Sequence, residues 1–124
     1  NDDAKEMFKY LKPNQRLSEI SQSDFKKLEF SKLFKSRIIY NRCRRLPLNT
    51  PSWTIVAHIG IDGYEYIHPK LNRTLSVREA ARLQSFPDNF IFFGNMREQY
   101  LQVGNAVPPI VGKHLANAIY NSLH

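Results

Sequence analysis

Residues 73–90 read RTLSVREAARLQSFPDNF, and residues 102–119 read QVGNAVPPIVGKHLANAI. The first stretch opens a helix. Ser76 and Glu79 stand three apart, the spacing at which a serine hydroxyl and a glutamate carboxylate each take an orphan amide of a first turn. Ala80, Ala81, Leu83 and Gln84 continue it with good helix formers, and Pro87 turns Phe86 away from helical geometry. The second stretch enters a helix at Pro108-Pro109, acceptable only in a first turn. Val111, Leu115, Ala118 and Ile119 then form one apolar stripe within residues 108–122. Gly104-Asn105 ahead of it reads as a turn. Taken locally, that turn is either an ordinary loop-to-helix entry or a place where backbone amides and a carboxamide meet a small polar ligand.

Working outward, residues 53–67 change character. Trp53, Ile55, Val56, Ile59, Ile61, Tyr64, Tyr66 and Ile67 are β-branched or aromatic, and Asp62-Gly63 is a hairpin dipeptide. The pattern predicts strands at 53–60 and 64–68, with Pro69 ending the second. Tyr40 to Leu46 reads as an extended segment feeding a loop at Pro47 to Pro51. From Ser23, SDFKKLEFSKLFKS places Phe25, Leu28 and Lys32 on one stripe beside Phe30, Leu33 and Phe34, a short helix capped by Ser21 or Ser23. Residues 1–22 are polar around Met7, Phe8, Tyr10 and Leu11, and read as a loose lead-in with a short helix.

The 124 residues suit one domain, and the 42% apolar and 23% charged fractions are those of a globular chain. No run approaches the roughly 18 apolar residues of a membrane span, and no signal-peptide pattern opens the chain, so a cytoplasmic protein is expected. The first residue is Asn1 rather than Met, as expected of a trimmed piece or of one half of something longer, though a natural start is an alternative. The net charge of +7 is concentrated. Lys26, Lys27, Lys32, Lys35, Arg37, Arg42, Arg44 and Arg45 stand against Glu29 alone, so segment 26–45 holds the whole excess. A solvated helix face is one reading of such a run; the arginine-rich end favours a polyanion, with nucleic acid the default.

Phosphate-loop, dinucleotide-binding, zinc-protease and nucleophile-elbow motifs are missing. His58, His68, His114 and His124 lack metal-ligand spacing, so no metal is expected. The lone Cys43 excludes an internal disulfide. Its arginine neighbours favour thiolate in principle, but no general base lies nearby in sequence, and a small side chain in a basic strand is the simpler reading.

The two opening stretches resemble the last two signature motifs of DNA (cytosine-5) methyltransferases. Arg73 to Asp88 is similar to R-x-L-[ST]-x-R-E-x-A-R-x-Q-[SG]-[FY]-P-[DE] without a gap, and Gln102 to Pro109 to Q-x-G-N-[AS]-V-P-P. Arg44-Arg45-Leu46, Pro51-Ser52-Trp53-Thr54-Ile55 and Tyr66-Ile67-His68-Pro69 resemble the end of that family's target recognition domain. The resemblance covers residues 37–122.

It implies a methyltransferase, found in restriction-modification systems, that flips a cytosine from double-stranded DNA and attacks it with a cysteine thiolate. The enzyme then transfers the methyl group of S-adenosylmethionine to C5. The Pro-Cys, Glu-Asn-Val and Gly-containing motifs that do this are absent from the sequence; Cys43 lies in Arg-Cys-Arg and is not assigned as nucleophile, so no catalytic residue is expected here. The implied fold class is α+β. The expected segments are a partly disordered, helical lead-in at 1–36, the end of the recognition domain at 37–100, and the final motif with its helix at 101–124. That helix would pack on an absent α/β cofactor domain. Asn105, Ala106 and Val107 would touch the cofactor's amino-acid end. Arg42, Arg44, Arg45, Ser52, Thr54 and His58 would face DNA. Arg73, Arg78, Glu79 and Arg82 would organise the recognition domain.

Two hypotheses follow. One is the C-terminal part of such an enzyme, inactive without its catalytic half on the same or a separate chain. The other is a free-standing basic DNA-binding module.

Overall fold

In the computed structural model, residues 2–28 and 41–124 are described; the expected helix beyond Leu28, with Lys32, Lys35 and Arg37, lies outside them. The described residues form two compact units that exchange chain repeatedly. The first comprises residues 2–28, 41–53 and 62–75, the second 54–61 and 76–124.

The first unit starts with α1 (Asp2–Phe8), a 3-10 turn at Leu17–Glu19 and α2 (Gln22–Leu28). Ser21 caps α2, its hydroxyl accepting the Asp24 amide at 3.1 Å. Ala4, Met7, Phe8, Leu11, Leu17 and Leu28 close a core around Cys43 and Ile67, flanked by Tyr10, Ile20 and Tyr64. The expected loose lead-in therefore supplies most of this core. Its apolar residues are too few to form one alone, but they cover the inner face of the 43–46 segment.

That segment is extended, and its amides and carbonyls alternate between two neighbours. Leu17 donates to the Cys43 carbonyl at 2.9 Å and Arg45 to that of Gln15 at 3.1 Å; Arg44 donates to the Tyr64 carbonyl and Leu46 to that of Ile67. Residues 66–68 pair onward with 73–75 through His68 to Arg73 and Leu75 to Tyr66. These pairings remain isolated bridges, at Arg16–Arg44, Arg45–Ile67 and Ile67–Thr74.

No strand forms among the described residues, which corrects the expected strands at 53–60 and 64–68 and leaves a helix-rich architecture where an α+β one was expected. Asp62-Gly63 explains why. A two-residue hairpin of the expected kind requires positive φ at both positions, yet Asp62 has φ −131°, and Gly63 is not among the positive-φ glycines. The Asp62 carboxylate instead accepts the Tyr64 amide at 3.2 Å and caps a 3-10 turn, Gly63–Glu65. Ahead of it, Ala57–Gly60 winds into another 3-10 turn in the second unit.

The second unit contains α3 (Val77–Leu83), α4 (Met96–Asn105) and α5 (Pro109–Leu123). The capping box of α3 is formed: Ser76 accepts from Glu79 N at 3.3 Å, and Glu79 accepts from Ser76 N at 2.7 Å. A second box starts α4, with Asn95 and Glu98 exchanging bonds of 2.8 and 3.1 Å. Gly104 and Asn105 are thus the last residues of a helix, not the expected turn, and the expected boundary at residue 100 falls inside α4. Gly104 is required there by close approach: a Cβ would lie 2.7 Å from the Val56 carbonyl oxygen and 2.9 Å from Ala57 Cα. Gln84, buried, donates to the carbonyls of Val103 at 3.2 Å and Ile55 at 3.4 Å, fixing the end of α3 against both. Ser85, in the left-handed region at φ 63°, ends α3 and accepts the Ile110 amide at 3.2 Å, so it also caps α5.

Candidate functional site

Three arginines within four residues meet three different environments. Arg45 is 4% exposed. Its five N–H donors meet five acceptors: Nε the Leu11 carbonyl at 2.7 Å, Nη1 the carbonyls of His68 and Leu71 at 2.6 and 3.0 Å, and Nη2 the Phe8 carbonyl and Asn72 Oδ1. The Phe8 and Leu11 carbonyls lie at and just beyond the C-terminus of α1, where orphan acceptors and the helix dipole favour a cation. Burial lowers the Arg45 pKa from its ordinary value. Its saturated guanidinium has no donor left for DNA, which corrects its expected place among the DNA-facing residues.

Arg44 differs in every respect. It is half-buried, with its guanidinium carbon 4.0 Å from the centroid of the Trp53 indole. Nη2 donates to Asn14 Oδ1 at 2.7 Å, and Nε is buried without an acceptor among the described residues. Arg42 lies between two carboxylates, 3.9 Å from Asp62 and 3.6 Å from Glu65. Arg16, Asn41, Arg42, Arg44, Trp53 and Glu65 line a cleft of about 320 Å³. Asn14, Arg16, Trp53 and Glu65 were not anticipated as site residues. The acids carry no sign of their role in sequence, and Asn14 and Arg16 reach the site through the pairing of residues 14–17 with 43–45.

Cys43, beside these arginines, is fully buried, and burial pushes its thiol up to about 12, with Asp62 adding to the rise. Arg45 pulls the other way and loses to desolvation. A thiol so held is no nucleophile near neutral pH.

The remaining residues expected at DNA are divided. Ser52, in the first unit, donates to the Trp53 carbonyl at 3.1 Å. Thr54, exposed, and His58, in the Ala57–Gly60 turn, belong to the second.

The motif arginines make local bonds, Arg73 and Arg78 to backbone and Arg82 to a carboxylate. Arg73 reaches the Thr74 carbonyl at 3.0 Å. Arg78 donates to the carbonyls of Pro87 and Phe90 at 3.3 and 2.7 Å and lies over the Phe92 ring. Arg82 grips Asp88 with two bonds of 2.8 and 3.0 Å, which lowers the Asp88 pKa. Arg78 and Arg82 fold the Phe86-Pro87-Asp88 turn back over α3, where Phe86, Phe90 and Phe92 cluster with ring centroids 4.9–5.1 Å apart.

Beyond α4, Asn105 and Val107 are exposed and Ala106 donates its amide to the Val103 carbonyl. Helix α5 then runs for 15 residues without burying one, and Val111, Leu115 and Ile119 of its apolar stripe are exposed. No group of acidic, histidine or cysteine residues among those described could hold a metal, and no described helix is long and apolar enough to cross a membrane.

The family model for C-5 cytosine-specific DNA methylases matches residues 2–121. The chain belongs to this family. Type II methyltransferase M.AgeI of Thalassovita gelatinovora is 49% identical over 79 residues, covering 64% of this chain and 18% of that protein. DNA (cytosine-5-)-methyltransferase M.ApeKI of Aeropyrum pernix is 42% identical over 82 residues, 66% of this chain and 17% of its own length. In Mus musculus, DNA (cytosine-5)-methyltransferase 1 is 55% identical over 47 residues, 38% of this chain and 3% of that protein. The chain spans about a fifth or less of the curated relatives it matches. Family membership extends to α1 and α2, outside the residues that carried the resemblance in sequence, and none of these relatives supports a free-standing DNA-binding module.

Proposed function

We propose that this chain is the C-terminal part of a DNA (cytosine-5)-methyltransferase, supplying DNA recognition from its first unit and one edge of the cofactor pocket from its second. The observation that carries the reading is α5: a helix whose apolar stripe is wholly uncovered, joined through Asn105-Ala106-Val107 to a family motif. Burying Val111, Leu115 and Ile119 against a partner would be worth roughly 1.5–3 kcal/mol per side chain, ample to fix α5 on the rest of the enzyme. An uncovered stripe of this kind marks an interaction surface.

The residues at the α4–α5 junction fit an edge of S-adenosylmethionine. The exposed Asn105 carboxamide can donate to the carboxylate of an amino acid or accept from its ammonium, and exposed Val107 supplies apolar contact beside it. When bound, the cofactor supplies the methyl group. This chain's own part is to bind and orient, because the thiolate and acid of the reaction lie in the motifs it lacks. Arg42, Arg44 and Ser52 of the first unit and Thr54 and His58 of the second are the DNA-facing residues, while Arg73, Arg78, Glu79 and Arg82 organise the motif at 73–90 itself. The protein acts on DNA in the cytoplasm of its host.

The reading is tested by mixing this chain with the catalytic segment of its enzyme and measuring association by sedimentation. Wild type forms a heterodimer and Leu115→Glu does not, while both give the same helical circular dichroism when alone. Equal association of the two would reject α5 as the docking element.

A further inference from the structure

We propose that His68 is a positioning residue for DNA recognition, a neutral imidazole that sets the 43–46 segment through Arg45; the inference rests on the DNA-recognition role proposed above. His68 belongs to Tyr66-Ile67-His68-Pro69, a motif that neither the cleft nor the cofactor edge accounts for. Its Nδ1 accepts two backbone amides, those of Lys70 and Leu71, each at 3.0 Å. A ring nitrogen accepts only when it carries no proton, so the ring proton lies on Nε2.

Those two bonds close the turn at 68–72, and the turn closes on one guanidinium. The carbonyls of His68 and Leu71 converge on Arg45 Nη1 at 2.6 and 3.0 Å, and Asn72 Oδ1 takes Nη2 at 2.8 Å. The Arg45 backbone carries the constraint onward. Its amide donates to the Gln15 carbonyl and its carbonyl accepts from the Asn14 amide, both at 3.1 Å. Asn14 Oδ1 in turn accepts from Arg44 at 2.7 Å, where Arg44 lines the cleft. Every link lies within the first unit.

A proton on Nδ1 would confront two N–H groups instead of accepting from them. The neighbouring charges add to that cost. The 43–46 segment brings Arg44, Arg45 and the neutral thiol of Cys43, and residues 66–75 bring Tyr66, Lys70 and Arg73 without a carboxylate. Helix α1, reached through Arg45, brings Glu6, which is paired with Lys9. The closed turn therefore holds the neutral ring. Its contribution is full above about pH 6.5, the ordinary histidine value, and declines as the pH falls.

The test is the KM for duplex DNA of the intact methyltransferase carrying this segment, with kcat measured beside it, at pH 7.5 and 5.5. His68→Asn puts Oδ1 where Nδ1 stands, keeps both amide bonds and cannot take the proton. His68→Gln carries its acceptor one bond further out and loses them. At pH 7.5 wild type and His68→Asn agree, while His68→Gln raises KM about 10-fold with kcat unchanged. At pH 5.5 the wild-type KM climbs toward that of His68→Gln, so the ratio of wild type to His68→Asn rises several-fold. A merely structural histidine would lower the melting temperature of His68→Gln and leave its KM unchanged. The inference is overturned if His68→Asn matches His68→Gln, if kcat falls instead of KM rising, or if that ratio is the same at both pH values. Should the variants fail to fold, nitrogen NMR of the His68 ring in the wild-type chain decides. Nδ1 unprotonated and Nε2 protonated at pH 7.5 is the expected result, and the opposite tautomer overturns the inference. A wild-type enzyme that methylates no DNA defeats the underlying functional reading, and the tautomer then still tests the role of the ring.

Discussion

Replacing Arg45 by methionine keeps most of the aliphatic stem while removing all five of its hydrogen bonds. Four of the five acceptors are backbone carbonyls, from Phe8, Leu11, His68 and Leu71. They link the end of α1 to the turn at 68–72 within the first unit. A buried group left without its partner costs about 1–3 kcal/mol. Water reaches some of these carbonyls once the guanidinium is gone, so the sum is discounted to about 3–5 kcal/mol, still a large share of a typical domain's stability. Arg44→Met removes one bond and one stacking contact at a partly exposed site, worth about 1 kcal/mol. The two variants differ by one position and share composition and charge. The assay is urea titration with pulse alkylation of Cys43, the only cysteine and fully buried in the same unit. With an m-value of about 1–3 kcal/mol/M, Arg45→Met lowers the labelling midpoint by roughly 2 M and Arg44→Met by well under 1 M. Equal midpoints for the two variants would refute the structural assignment of Arg45.

Four further outcomes follow from the same structure. Gly104→Ala places a Cβ 2.7 Å from the Val56 carbonyl oxygen, and that clash outweighs the gain in helix propensity, lowering stability by about 1–3 kcal/mol. Gly112→Ala in α5 meets nothing within 4 Å and raises helix stability by up to about 1 kcal/mol, so thermal melts of the pair move in opposite directions. Cys43 resists iodoacetamide at pH 8 in the folded chain. Because its pKa is raised in the fold, from 9.0 to about 12, the unfolded state loses the proton first. Stability from this site is full below pH 9 and declines by about 1.4 kcal/mol per pH unit between 9 and 12, measurable by denaturation across that range.

The helices α3 and α5 were legible because their signals are local: a serine and a glutamate three apart, and two prolines that fit only a first turn. Helix α4 carried the same kind of signal at Asn95 and Glu98, but Gly104 reads as a turn in isolation. Only its approach to residues 56–57 explains a glycine inside a helix. Asp62-Gly63 shows the complementary failure. The dipeptide is equally suited to a hairpin and to a side-chain-capped 3-10 turn, and tertiary packing chose the second. At 43–45 the side chains alternate, Cys43 and Arg45 inward and Arg44 toward the cleft. That period-two pattern was available in sequence, though not which phase faced the core. The cleft itself was illegible, since Asn14 and Arg16 reach Arg44 by a pairing across nearly thirty residues.

Methyl transfer itself asks whether this chain completes a DNA cytosine-5 methyltransferase, as proposed. Duplex DNA and S-adenosylmethionine labelled in the methyl group are incubated with this chain, with the catalytic segment of its enzyme, and with both together. 5-Methylcytosine is expected only when both are present, and is lost when Leu115→Glu replaces the wild-type chain. Methylation at an equal rate by the catalytic segment alone, or none from the combined pair, would contradict it.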